Sequence, residues 1–416
     1  MLARRMTGNR LLCRYFSAEV SEQLSSFPEY AKAQALQLEG SYELVLPELE
    51  RVHDVLSHSL GSESPMAVHV VRQMSEVARL SGNTPKALDI LTSNLANITA
   101  DGPEKAGLVA MRSYQGLVGG GSLTKSREDA EEAIRICQSL EMHPDYFGIS
   151  YGLMGVICAL GDSNSTEAEE YLQLAARWSQ EPIAELCTLN NLGHYYLYCS
   201  EGGEENGDNR MAVIEGKTLW GSGSESNQEG AEAEGEGRKE ALSYWDEAIE
   251  AYKEEDGRLS NVDYAIAYAG VLASYSQGLK ASDPPRASEL LASALKAIEG
   301  HKSHPKARPI LGRILNLIAF ENMSASMAVT AEGLFRSSLD HLGPQSAHAA
   351  NDVRYRFEHA LALGGYSLLT SKWENREKDA ADLQRQSRSI LDELGISKEG
   401  GLPAPFPFLF PDITKL

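Results

Sequence analysis

The residues that could do chemistry in this chain are few, and they do not assemble into a reactive set. His301 and His304 (HKSHP) stand in a polar turn before Pro305, without the further ligands that a metal site needs. Neither His-Glu-x-x-His nor Gly-x-Ser-x-Gly occurs. Gly119-Gly120-Gly121 lacks the Lys-Ser/Thr of a phosphate loop and reads as a turn between helices. The five cysteines, Cys13, Cys137, Cys158, Cys187 and Cys199, show no Cys-x-x-Cys spacing; apart from Cys13 at the N-terminus, they read as small apolar core residues in a reducing compartment. His194 beside Gly193 could act as a base, but no nucleophile or acid is arranged around it. The expectation is a non-enzyme with no catalytic residue, cofactor or bound metal.

What spacing does organise is a set of polar residues beside apolar helical stripes: Arg72, Glu76 and Arg79, then Asn190 and His194, then Arg313 and Asn316. Arginine and asparagine in such rows can hold an extended peptide by its backbone and carboxylates. The partners expected are therefore other proteins. The net charge of −21 disfavours nucleic acid, because phosphate binding needs clustered Lys and Arg.

The elements that must position those residues are helices. In Arg238–Glu255 (RKEALSYWDEAIEAYKEE), Ala241, Trp245, Ala248 and Tyr252 form one helical stripe, small and large by turns. A small residue admits a partner helix closely and a large one fills the groove beside it. Upstream, Leu189, Leu192, Gly193 and Tyr196 supply the facing stripe. The same small-large-small triplet at i, i+4, i+7 recurs. It begins at Val45, Leu49, Val52 and continues through Ala87, Leu91, Asn94, then Ala130, Ile134, Cys137, then Ala168, Leu172, Ala175. Beyond Trp245 come Ala287, Leu291, Ala294, then Ala331, Phe335, Ser338, and a degenerate Ala380, Gln384, Ser387. First positions are spaced by 42, 43, 38, 73, 46, 44 and 49 residues, a repeat with one insertion. Fainter first-helix stripes precede several of them: Ala33 and Leu36; Val71, Met74, Ser75 and Ala78; Tyr151, Met154, Gly155 and Cys158; Leu315, Ile318, Ala319 and Asn322.

These paired stripes resemble the tetratricopeptide repeat (TPR) family. The period near 42, with closes such as HSLGSESP and HLGP, is similar to the longer repeats of kinesin light chain and its relatives. The resemblance covers roughly residues 28–394. It implies an all-α, right-handed superhelical solenoid of antiparallel helix pairs, with a concave protein-binding surface lined by first helices.

The remaining segments are compositional. Residues 1–16 (MLARRMTGNRLLCRYF) carry Arg4, Arg5, Arg10 and Arg14, no acid, and Ser17-Ala18 beyond, the composition of a mitochondrial transit peptide. The expected order is a transit peptide (1–16), N-terminal repeats (17–199), an acidic Gly/Glu-rich disordered insertion (200–237), C-terminal repeats (238–396) and a Pro/Phe-rich tail (397–416). From Glu201 to Gly237 there are ten acids, two basic residues and nine glycines, too polar to offset the entropy of ordering. The tail places Pro403, Pro405, Pro407 and Pro411 among Phe406, Phe408 and Phe410, which forbids a helix and favours an extended strand. It is expected either to cover the last helices or to hook into another subunit. No run of about 18 apolar residues offers a transmembrane segment. The address and repeats together imply a scaffold of the mitochondrial matrix, or one held against the inner membrane through a partner. Among mitochondrial TPR proteins the chain is similar to assembly factors of the respiratory chain. A stable accessory subunit of an inner-membrane complex and an RNA-binding helical-repeat protein are the alternatives, the latter disfavoured by charge.

Overall fold

A computed structural model describes residues 20, 22–161, 166–198, 228–251, 258–280, 282–395, 408–411 and 413–415, with backbone alone for 198, 228–236 and 415. The transit-peptide reading, Tyr252, Cys13, Cys199 and most of the acidic insertion lie outside these residues.

Among the described residues there are helices and no strand. They form eight antiparallel hairpins. The first five are Pro28–Glu39 and Tyr42–Leu60 (α1, α2), Pro65–Leu80 and Thr84–Leu95 (α3, α4), Pro103–Val118 and Leu123–Ser139 (α5, α6), Pro144–Gly161 and Thr166–Trp178 (α7, α8), and Pro182–Tyr198 and Gln228–Ala251 (α9, α10). Three more follow: Val262–Leu279 and Pro284–Glu299 (α11, α12), Arg308–Ser324 and Ala328–Leu342 (α13, α14), and, after a single turn Ala347–Ala350 (α15), Val353–Thr370 and Glu377–Glu393 (α16, α17). Helix α10 begins at Gln228, ten residues before the start expected at Arg238. The Glu-Ala alternation there is compatible with helix despite its glycines.

The local reasons are in the sequence. Five successive first helices open on proline, whose missing N–H costs nothing in the first turn. Asn83, Ser122 and Asp283 cap the starts of α4, α6 and α12 by accepting backbone N–H bonds. Gly40 and Gly82 turn the chain at φ 77° and 81°, in the left-handed region that glycine adopts without strain.

Every small-large-small triplet falls on a second helix, and all members but Asn94 and Gln384 are buried. Each second helix is amphipathic because only one side meets its neighbours. First helices are buried on more than one side: α7 is buried without a break from Phe147 to Leu160. They also pack on one another in series, α3, α5, α7, α9, α11, α13 and α16, as the inner layer of a solenoid.

Trp245 shows how the layers fit. It is fully buried, with Gly193 of α9 on one side and Gly278 of α11 on the other. A Cβ on either glycine would come within 2.5 Å of the indole. Leu192 is buried beside this contact and Tyr196 is half-buried, stacked on Tyr244 at 5.5 Å. The solenoid curves until its early and late parts meet. Tyr42 hydrogen-bonds His348 (2.8 Å), Arg79 donates to the Asn351 carbonyl (2.6 Å), and Asn351 donates to the Leu80 carbonyl (3.0 Å).

Replacing Trp245 with Ala should lower the unfolding free energy by about 3–5 kcal/mol, the range for an aromatic truncated in a packed core. Denaturant melts followed by helical circular dichroism measure it; an unchanged midpoint would contradict the packing described here.

Candidate functional site

The site is built from the inner layer of first helices. The seven polar positions singled out by spacing all lie on α3, α9 and α13, and six of them are buried rather than solvated; Glu76 is half-buried. Their partners come from the same chain. Glu76 pairs with Arg79 (2.6 Å) and accepts from Gln115 of α5 (2.7 Å). Arg72 lies against Gly107 of α5, where a Cβ would sit 2.9 Å from its guanidinium, and burial lowers its pKa. Asn190 is fully buried beside Asn191.

A second network runs through the later repeats. The Ser274 hydroxyl of α11 donates to the Gly270 carbonyl (2.9 Å) and accepts from both Arg313 Nη atoms (3.3 Å). His194 Nε2 lies 2.8 Å from the same oxygen, and since that hydroxyl's hydrogen is already given away, the imidazole donates. Burial first, and then Arg313, holds the His194 pKa well below its ordinary value, so the ring is neutral. Arg313 Nε in turn faces the Glu358 carboxylate of α16 (3.3 Å); burial pushes the Glu358 pKa up, against the opposing pull of Arg313. These residues tie α9, α11, α13 and α16 together. The expectation of an open polar lining is corrected accordingly: the coil is tight enough that its inner side chains reach one another before they reach solvent.

The groove between them holds an extended segment of the chain's own tail. Asn191 Oδ1 accepts from the Leu409 N–H and Asn191 Nδ2 donates to the Leu409 carbonyl, both at 2.9 Å. Arg354 of α16 donates to the Phe408 carbonyl (2.7 Å) while pairing with Asp352. Burial alone would lower the Arg354 pKa, but the Asp352 carboxylate raises it well above the usual value. Leu409 rests on Gly270, where a Cβ would lie 2.8 Å from its side chain. Phe410 meets the Tyr114 ring edge-on at 5.5 Å. Phe408, Leu409 and Ile413 are buried. The tail thus enters the middle of the coil instead of covering the last helices. A cavity of about 120 Å³ remains beside it, lined in part by Glu76, Arg79, Asp263, Lys306 and Asp352.

Helical spacing points to Asn190 but not to its neighbour Asn191, nor to Tyr114, Gly270 or Arg354. Asn191 follows Asn190 by one helical step of about 100°, and Gly270 carries a close-contact signal like that of Gly193. Elsewhere, His301 hydrogen-bonds the Leu259 carbonyl (2.7 Å) and His304 caps the turn at Lys306. Among the described residues no cluster of three His, Cys, Asp or Glu could hold a metal, and no helix is long and apolar enough to cross a membrane. Chemically, the groove can grip an extended backbone and seat apolar side chains.

Eight stacked helical hairpins, each second helix carrying the small-large-small stripe, make this a TPR-like solenoid. No protein-family model matches the sequence, and no curated protein matches it. Among solved structures, it is similar to the crystal structure of a Podosopora anserina kinesin light chain with nearly identical TPR-like repeats. That match has 12% identity and a TM-score of 0.31, over 69% of this chain and 98% of the other. The helix pairs themselves define the fold.

His348, at the junction with Tyr42, has its pKa lowered to about 3 by burial and by nearby Arg79 and Lys306. Its folded pKa lies below its unfolded value, so the unfolded chain takes up protons first as pH falls. Stability is therefore lost below about pH 6.5, by up to about 1.4 kcal/mol per pH unit for such a histidine. Denaturant melts between pH 7 and 5 should show this decline, with a shallower slope in His348→Gln; identical slopes would contradict a half-buried imidazole held neutral.

Proposed function

We propose that this chain is a non-enzymatic protein-binding scaffold of the mitochondrial matrix, acting in the assembly or maintenance of a respiratory-chain complex. The observation that carries the binding role is the Asn191 amide gripping both backbone polar groups of Leu409, since a groove that holds one extended segment by its backbone is suited to hold others. The address is supported by the arginine-rich, acid-free residues 1–16. Address and longer repeats together resemble the TPR assembly factor of respiratory complex III, and a partner would supply any contact with the inner membrane.

A stable accessory subunit is the second reading. Leu44 and Val55, eleven residues apart and so on one face of α2, are 61% and 52% exposed, an apolar outer surface on the first hairpin. Native gels distinguish the two: an assembly factor is substoichiometric in the finished complex, whereas a subunit migrates with it in equal amount.

Import provides the direct test of address. Replacing Arg4, Arg5, Arg10 and Arg14 with Glu should leave the full-length protein in the cytosol by fractionation and immunoblot. Unchanged mitochondrial accumulation at the same mature size would overturn it. Affinity purification of the wild type from mitochondria should recover respiratory-complex subunits; their absence would count against the assembly role.

A further inference from the structure

We infer that the inner groove recognises a partner chain through an extended aromatic-leucine-aromatic-proline segment, and that residues Phe408–Pro411 occupy it as an internal competitor. This deepens the scaffold reading above and rests on it.

The groove has the two parts that recognition of an extended chain needs. Backbone contacts supply grip: Asn191 takes both polar groups of Leu409, and Arg354 takes the Phe408 carbonyl. Side-chain seats supply selectivity: Gly270 leaves room for leucine, while Tyr114 and the Arg354 guanidinium, 5.9 Å from the ring centre, face Phe410. Proline follows without needing a partner for an N–H.

A single tail residue meets the clamp in full. Asn191 is only 2% exposed, and both ends of its amide are satisfied by one tail residue. Another extended backbone offers the same N–H and carbonyl and can replace the tail on this amide in kind.

The tail fills this channel incompletely. The cavity beside Phe410, Pro411 and Thr414 is bordered by Glu76, Asp263 and Asp352 as well as Arg79 and Lys306. Those charges are paired already, Glu76 with Arg79, Asp263 with Lys306 and Asp352 with Arg354, so a partner gains there by filling the space with larger side chains after its proline. That gain lets it compete with a tethered segment whose effective concentration is in the millimolar range.

The test uses the full-length chain and a fluorescein-labelled peptide with the sequence of residues 407–416, read by fluorescence anisotropy. In the wild type the tail reduces the apparent affinity by the fraction of grooves it fills. Leu409→Asp, which puts a charge on the Gly270 seat, should expel the tail and tighten peptide binding by about tenfold or more. Adding Asn191→Ala should reverse the gain. The milder Phe410→Ala, which keeps the backbone clamp, should give a smaller increase and decides the matter if Leu409→Asp fails to fold.

Equal peptide affinity in wild type and Phe410→Ala would overturn the inference and make the tail a permanent part of the core. A wild type that is dimeric at micromolar concentration, and turns monomeric with Leu409→Asp, would also overturn it by making a second copy the occupant. Either result could stand beside recovery of mitochondrial partners by the wild type, so the scaffold reading is tested separately.

Discussion

The structure depends on how closely adjacent helices approach. Trp245 sets that distance at the centre of the array, wedged between Gly193 and Gly278 with no room for a Cβ on either. Gly155 against Leu172 and Gly312 against Leu342 repeat the arrangement before and after it. Small residues at these points let first and second helices close on one another, and the inner helices, packed in series, curve enough for Arg79 to reach Asn351. A narrow interior follows. Polar side chains there must be satisfied by one another, which accounts for the run from His194 through Ser274 and Arg313 to Glu358. The tail completes the interior by meeting Asn191.

Much of this architecture was legible. The second helices could be found because each has one buried face, which writes a 3.6-residue period into the sequence. The first helices were faint for the opposite reason: α7 and α11 are buried nearly throughout and lack an amphipathic contrast. A clearer signal was available in Pro28, Pro65, Pro103, Pro144 and Pro182, which open five first helices at intervals of 37, 38, 41 and 38 residues.

The site was less legible. Periodicity placed Arg72, Arg79, His194 and Arg313 beside the stripes, but exposure depends on curvature, which no single helix records. The proline-phenylalanine pattern of 403–411 marked an extended segment. It could not indicate that Leu409 would lie on Gly270, since that contact joins residues far apart in sequence and depends on the whole coil having closed. Function follows the same division: what the groove offers is shape and backbone hydrogen bonding, and neither is written in a local motif.

Asn191 holds Leu409 inside the coil. Amide hydrogen exchange of the full-length protein, resolved at Leu409 by NMR, measures this most directly. Exchange slowed by about 100-fold or more relative to the free tail peptide, and lost in Asn191→Ala, is the result expected for a bonded, water-excluded N–H. Exchange at the rate of the free peptide would contradict the account.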